Sequence, residues 1–244
     1  MKKLLTLVFL FSLLGAGTAI AAGPSVPLDR ANIDLKDQAS LQRGAGFFFQ
    51  YCVGCHSLEF ARYNRIGRDL GLSDDFVVEN LIHTTNMEGD PTGIGDQVHI
   101  AMRASDAEEW FAQPAPDLTL TARLHGPDWI YTVLRSFYLD DSRPLGVNNA
   151  AFENMGMPHV LWNLQGWQRN AGSLEEPQLE MVSQGALGTE EYDQVVRDIT
   201  AFLTYIGEPV RLERTQIGMW VIAFLILFTF VAYLLKKEYW RDVH

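Results

Sequence analysis

From residue 190 to residue 206 apolar side chains return every three or four positions: Tyr192, Val195, Val196, Ile199, Phe202, Leu203 and Ile206. That spacing predicts an amphipathic helix over Glu190–Ile206 with a single buried stripe. Thr189 is its expected N-cap, acidic residues suit its first turn, and Gly207 and Pro209 are its expected end. Shorter patterns predict a helix capped by Ser40 and running to Tyr51, one over Asp74–Ile82, and one over Asp128–Tyr138 with Ile130, Val133, Leu134 and Phe137 on one face. Glu88–Gly95 reads as a Gly/Pro-rich loop, and Met155–Pro158 lies in an irregular stretch after Asn148 and Asn149. No repeat and no βαβ pattern interrupts this series. The expectation is a mainly α domain with long loops.

Two stretches are apolar all round. Lys2 and Lys3 precede Leu4–Leu14, and small residues lead on to Ala21 and Ala22. A basic start, a short apolar run and a small-residue exit describe a secretory signal over residues 1–22, cleaved after Ala21 or Ala22. The alternative is a retained N-terminal anchor, but the run is short for a bilayer core of about 30 Å. The second stretch, Thr215–Leu235, contains no charge, and at about 1.5 Å per residue it is long enough to cross. Trp220, Tyr233, Tyr239 and Trp240 sit near its ends, where interfacial aromatics belong. The expected organisation is a signal at 1–22, an exported domain at 23–214, a transmembrane helix at 215–235 and a cytoplasmic tail at 236–244. That places the domain on the periplasmic side of a bacterial inner membrane.

Charge narrows the partners. The chain carries a formal −11, and the export signal and tail are both basic, so the domain between them is more acidic still. Such a surface repels nucleic acid and anionic headgroups and attracts a basic protein.

The chemistry is concentrated in Cys52-Val53-Gly54-Cys55-His56, which holds both cysteines of the chain. C-x-x-C-H attaches c-type haem. Each thiol adds across one vinyl group of the porphyrin edge, and the next residue sets an imidazole under the iron. A thioredoxin-like pair would want a βαβ neighbourhood, and a zinc site would want two further ligands. The expected cofactor is therefore one covalent haem c.

A second strong axial ligand makes such a haem an electron carrier; an open face lets it bind gases or peroxide. The downstream sulfur candidates are Met87, Met102, Met155, Met157 and Met181, and the imidazole candidates are His83, His99, His125 and His159. Met219 lies inside the span. A thioether suits electron transfer. Met157, before Pro158, sits in a loop free to present its sulfur. Met155 and Met102 remain rivals, Met102 beside Ala101 and Arg103 in what reads as a helix approaching Trp110. Any one of these methionines could equally fill a core gap.

Across nearly all of residues 23–244 the chain resembles the cytochrome c1 family, the haem subunits of cytochrome bc1 complexes. The resemblance rests on an ordered series: Cys52–Leu58, Tyr63, Ala115-Pro116-Asp117-Leu118, Arg123, Gly156-Met157-Pro158, the helix ending at Ile206, and a terminal span with a short basic tail. Ala115 stands where members often carry proline, and His159 where some do. The resemblance implies a cytochrome c-like haem fold, Met157 as axial sulfur, and Arg123 beside the haem propionates. It implies an electron-transfer subunit with no bond-making chemistry of its own. Its neighbours would be a cytochrome b subunit, a Rieske iron–sulfur donor, and a soluble or tethered cytochrome c as acceptor. The competing reading is a membrane-anchored haem c enzyme or sensor with an exchangeable axial ligand.

Overall fold

The computed structural model describes residues 26–85, 89–100 and 102–243. The proposed export signal and Met87 lie outside these residues. The architecture is mainly helical with long loops, small two-stranded sheets and one long terminal helix. The elements run α1 (Gln38–Tyr51), β1 (Leu58–Arg62), α2 (Tyr63–Leu70), α3 (Asp74–Asn80), β2 (Gln97–Val98), α4 (Ala104–Phe111), α5 (Thr121–His125) and α6 (Pro127–Arg135). They continue with β3 (Phe137–Leu139), β4 (Val147–Asn149), α7 (Trp162–Gln165), β5 (Gly166–Asn170), β6 (Leu179–Gln184), α8 (Thr189–Gly207) and α9 (Arg211–Tyr239). The strands pair antiparallel as β1–β2, β3–β4 and β5–β6.

The frame of the domain is α1 packed on α8. The expected apolar stripe of α8 is buried, and its Phe202 meets Phe48 with ring centroids 5.6 Å apart. Phe49 turns its edge to Phe48 at 5.4 Å and packs on Tyr63 at the same distance. One buried carboxylate ties the two helices. Asp198, 1% exposed, accepts from Ser40 Oγ at 2.6 Å, from Arg43 Nε at 2.7 Å and from Gln194 Nε2 at 2.8 Å. Three donors offset the cost of burying its charge. Ser40 is thus spent on a long-range contact and is not the N-cap of α1. That role falls to Asp37, whose side chain accepts from Ser40 N at 3.1 Å.

Close approach of these helices depends on Gly44. A Cβ there would strike the backbone carbonyl of Asp198, an atom that cannot turn away as a side chain would. Gly44→Ala is therefore expected to cost about 3 kcal/mol and to lower the melting temperature. A melt unchanged from wild type would show that α1 and α8 can separate at no cost.

Other ends differ from the sequence pattern for local reasons. α6 stops at Arg135 and not at Tyr138, because Phe137 and Tyr138 pair with Asn149 and Asn148 as strand β3. The freed carbonyl of Arg135 is taken by the amides of Gln165 at 3.0 Å and Gln168 at 2.9 Å. The N-cap of α8 is Gly188 and not Thr189, with Glu191 accepting from Gly188 N at 3.0 Å. α3 has Ser73 as its cap and ends at Asn80. α9 begins at Arg211, so the uncharged run 215–235 lies wholly inside it and only Glu208–Val210 separates it from α8. None of its residues is buried, which leaves an apolar helix 29 residues long for a bilayer to cover.

Candidate functional site

The C-terminal end of α1 unwinds directly into the C-x-x-C-H segment. Cys55 N and His56 N both donate to Cys52 O, at 3.0 and 2.9 Å, so the five residues form one tight turn. Cys52 is buried, Cys55 half-buried, and both thiols are free. Burial first, then the neighbouring Cys55, pushes the Cys52 thiol up to about 12; burial raises Cys55 as well. A redox-active pair normally sits at a helix N-terminus with a depressed thiol pKa. These thiols lie at the opposite end of a helix and move in the opposite direction. Among the described residues no three His, Cys, Asp or Glu side chains gather as a metal site.

His56 is the best-defined member of the site. It is buried, and its Nδ1 lies 2.8 Å from the carbonyl oxygen of Pro116. A carbonyl can only accept, so Nδ1 carries the proton and Nε2 keeps its lone pair. Burial lowers the pKa of the ring, which opposes protonation of that lone pair. This is the arrangement that orients a metal-binding imidazole.

Pro116 is held in place by the residue after it. Asp117 Oδ2 accepts from Ser57 Oγ at 2.9 Å and from Glu59 N at 2.7 Å, while Oδ1 accepts from Thr119 N at 2.9 Å. Leu118 N adds a bond to Ser57 O at 3.0 Å. The segment 116–119 is thereby fastened alongside residues 56–59. Pro116 and Asp117 stand in the sequence as part of Ala115-Pro116-Asp117-Leu118, where nothing local signals that they orient His56.

Three residues before Pro116, the amide of Gln113 lies against Gly156, where a Cβ would come within 2.6 Å of Gln113 Nε2. A three-residue strut spans at most about 10 Å. The loop that carries Met157 thus lies beside the segment leading to Pro116, the hydrogen-bond partner of His56. Met157 is half-buried in that loop. Two asparagines brace it from within. Asn149, 1% exposed, accepts from Ala151 N at 3.0 Å and Phe152 N at 3.1 Å and donates to Val133 O at 2.8 Å. Asn148 accepts from Asn154 N at 2.9 Å, and Asn154 takes a left-handed backbone. From the sequence these asparagines marked only an irregular stretch.

The rival ligands are elsewhere occupied or differently placed. Met155 packs with Val26, Val133 and Ala151 as a gap-filler. Met102 is not helical; it lies ahead of α4 in a loop. Met181 is exposed on β6. His83 and His99 are exposed, and His125 stacks on Trp129 at 4.3 Å. His159 is buried in an aromatic box, stacked on Phe137 at 4.9 Å with Trp167 edge-on at 5.8 Å. Arg123 is exposed on α5, its stem over Gly207. Arg214 foremost, with Arg123 adding to it, holds the Glu208 carboxyl below the usual range. The same helix and the Met157 loop leave Leu120, Leu124 and Phe152 exposed.

These residues fit a covalently attached haem. Two free thiols stand beside an imidazole whose Nε2 is kept unprotonated, Met157 is half-buried in a neighbouring loop, and Leu120, Leu124 and Phe152 leave apolar surface uncovered.

Comparison with known proteins leads to the same chemistry. The sequence model of the Cytochrome C1 family matches residues 31–243. The chain is 50% identical over 255 residues to cytochrome c1 of Allochromatium vinosum, covering 100% of both proteins. It is 43% identical over 245 residues to a protein named ammonia monooxygenase gamma subunit in Nitrosomonas europaea, covering 99% of this chain and 100% of that one. Cytochrome c1 of Cereibacter sphaeroides is 26% identical over 263 residues, at 94% and 92% coverage.

Proposed function

The chain belongs to the cytochrome c1 family, and on that premise we propose that Cys52 and Cys55 hold its haem while His56 and Met157 bind the iron. The protein is the electron-carrying subunit of a quinol–cytochrome c oxidoreductase of bc1 type, carries one covalent haem c, and performs no bond chemistry itself. It is anchored in the inner membrane by its C-terminal helix, the one such span among the described residues, with the haem domain facing outward. The haem supplies a one-electron iron couple.

The observation that carries the residue assignment is the bond from His56 Nδ1 to Pro116 O. It leaves Nε2 as the only ring atom able to donate to iron. Met157 would supply the second iron ligand, because Gln113, three residues before the partner of His56, lies against Gly156 in the Met157 loop. Arg123 is assigned to the haem propionates: it is an exposed guanidinium on the α5 helix that follows the Asp117 clamp. Residues 1–22 are assigned as the export signal, 23–214 as the periplasmic domain, 215–235 as the span and 236–244 as the cytoplasmic tail. A tag placed after His244 is then expected to be protected from protease in intact spheroplasts while the haem domain is cut. Cleavage of the tag from outside would overturn this topology.

Within the complex the proposed neighbours are a cytochrome b subunit around α9, a Rieske iron–sulfur subunit as donor, and a cytochrome c as acceptor. Mild solubilisation followed by affinity capture of this chain is expected to bring the first two with it. For the acceptor, the acidic surface favours a basic protein. The exposed pair Glu108 and Glu109 lies on α4, which runs toward Gln113 and the Met157 loop. Reversing both charges is expected to slow electron transfer several-fold at low salt and little at high salt, since the Debye length shrinks to about 10 Å at 0.1 M. A rate insensitive to salt would assign the docking to apolar contact instead.

A further inference from the structure

The Asp117 carboxylate is half-buried and accepts from three donors in two separate segments: Ser57 Oγ, Glu59 N and Thr119 N. Ser57 follows His56 in the chain, and Pro116 precedes Asp117. The carboxylate therefore grips the backbone on both sides of the bond from His56 Nδ1 to Pro116 O, 2.8 Å long. We propose that Asp117 is a positioning residue for the proximal imidazole that also sets the haem's midpoint potential, its clamp fixing the carbonyl that orients His56 and its negative charge favouring the oxidised iron. The proposal rests on His56 as the iron ligand.

First, the lone pair of Nε2 points where the ring points, and the ring is aimed by a single carbonyl on an exposed proline. Without the clamp, that carbonyl's segment loses its bonds to Ser57 Oγ and Glu59 N and is held less firmly, by Leu118 N on Ser57 O. Second, a fixed negative charge close to the ligand stabilises the more positive ferric state over the ferrous one. Partners of an iron-bound imidazole tune its metal in this way. The Ser57 hydroxyl moderates that charge by donating to it.

The charge predicts shifts of opposite sign in two variants. Asp117→Asn removes the charge and is expected to raise the midpoint potential by at least threefold in the one-electron equilibrium, about 28 mV at 59 mV per tenfold. Ser57→Ala leaves the carboxylate less neutralised and is expected to lower the potential by about 1.5-fold, near 10 mV on the same scale. Both would be read by optical redox titration of the detergent-solubilised complex, alongside its melting temperature. A merely structural aspartate would lower the melting temperature in both variants and leave the potentials unmoved, or move them in the same direction. Either result overturns the proposal. If Asp117→Asn fails to mature, the Ser57→Ala shift decides alone: a lowered potential supports the proposal, and an unchanged or raised one ends it. Failure of the underlying ligand assignment is distinguishable, because His56→Ala would then keep the wild-type low-spin spectrum.

Discussion

Serine at both Cys52 and Cys55 is expected to abolish covalent haem altogether. On a denaturing gel the wild-type chain should retain a peroxidase-active haem stain, and the double variant should show none. Serine oxygen does not add to a vinyl group as a thiol does. The loss should also extend to folding. Cys52 is buried at the junction of α1 with the ligand turn, within the same core as Phe48, Phe49 and Leu58. Leu120, Leu124 and Phe152 are exposed apolar side chains that a haem attached there would be expected to cover. Anything bound only by the folded state stabilises it, so the double variant is expected to melt at a lower temperature and to be degraded in cells. Extraction of wild-type haem into acidified organic solvent would overturn the attachment.

The second large effect falls on the opposite face. Met157→Leu removes the only sulfur in its loop not already committed to packing, since Met155 fills the space among Val26, Val133 and Ala151. The reduced variant is expected to bind carbon monoxide, which the wild-type protein should not. Loss of thioether ligation also lowers the potential. The expected fall is at least tenfold in the one-electron equilibrium, about 59 mV, enough to slow acceptance of an electron from the donor subunit. Met155→Leu, a packing change of similar volume, should leave the potential in place and cost less than about 1.5 kcal/mol. If Met102→Leu opens the iron and Met157→Leu does not, the axial assignment moves to the loop before α4.

The features legible in the sequence are those whose physics is local. The C-x-x-C-H segment is legible because haem attachment needs two thiols and an imidazole at one fixed short spacing. The span is legible because crossing a bilayer needs an uninterrupted apolar length. The buried stripe of α8 is legible because a helix repeats every 3.6 residues whatever it packs against.

Tertiary structure decided what depends on residues far apart in the chain. Ser40 looks like a cap by its neighbours, yet it is taken by Asp198, 158 positions away. Tyr138 continues a helical pattern, yet the strand pairing of Phe137 with Asn149 outcompetes the last helical turn. The proton on His56 Nδ1 is assigned by Pro116, 60 residues on. Sequence pattern favours Met157 but leaves Met155 a rival, and packing of Met155 against Val26 and Val133 separates them. A hydrogen bond or a packed methyl group acts over a few ångströms of space, and sequence distance carries no information about which residues the folded chain will bring within that range.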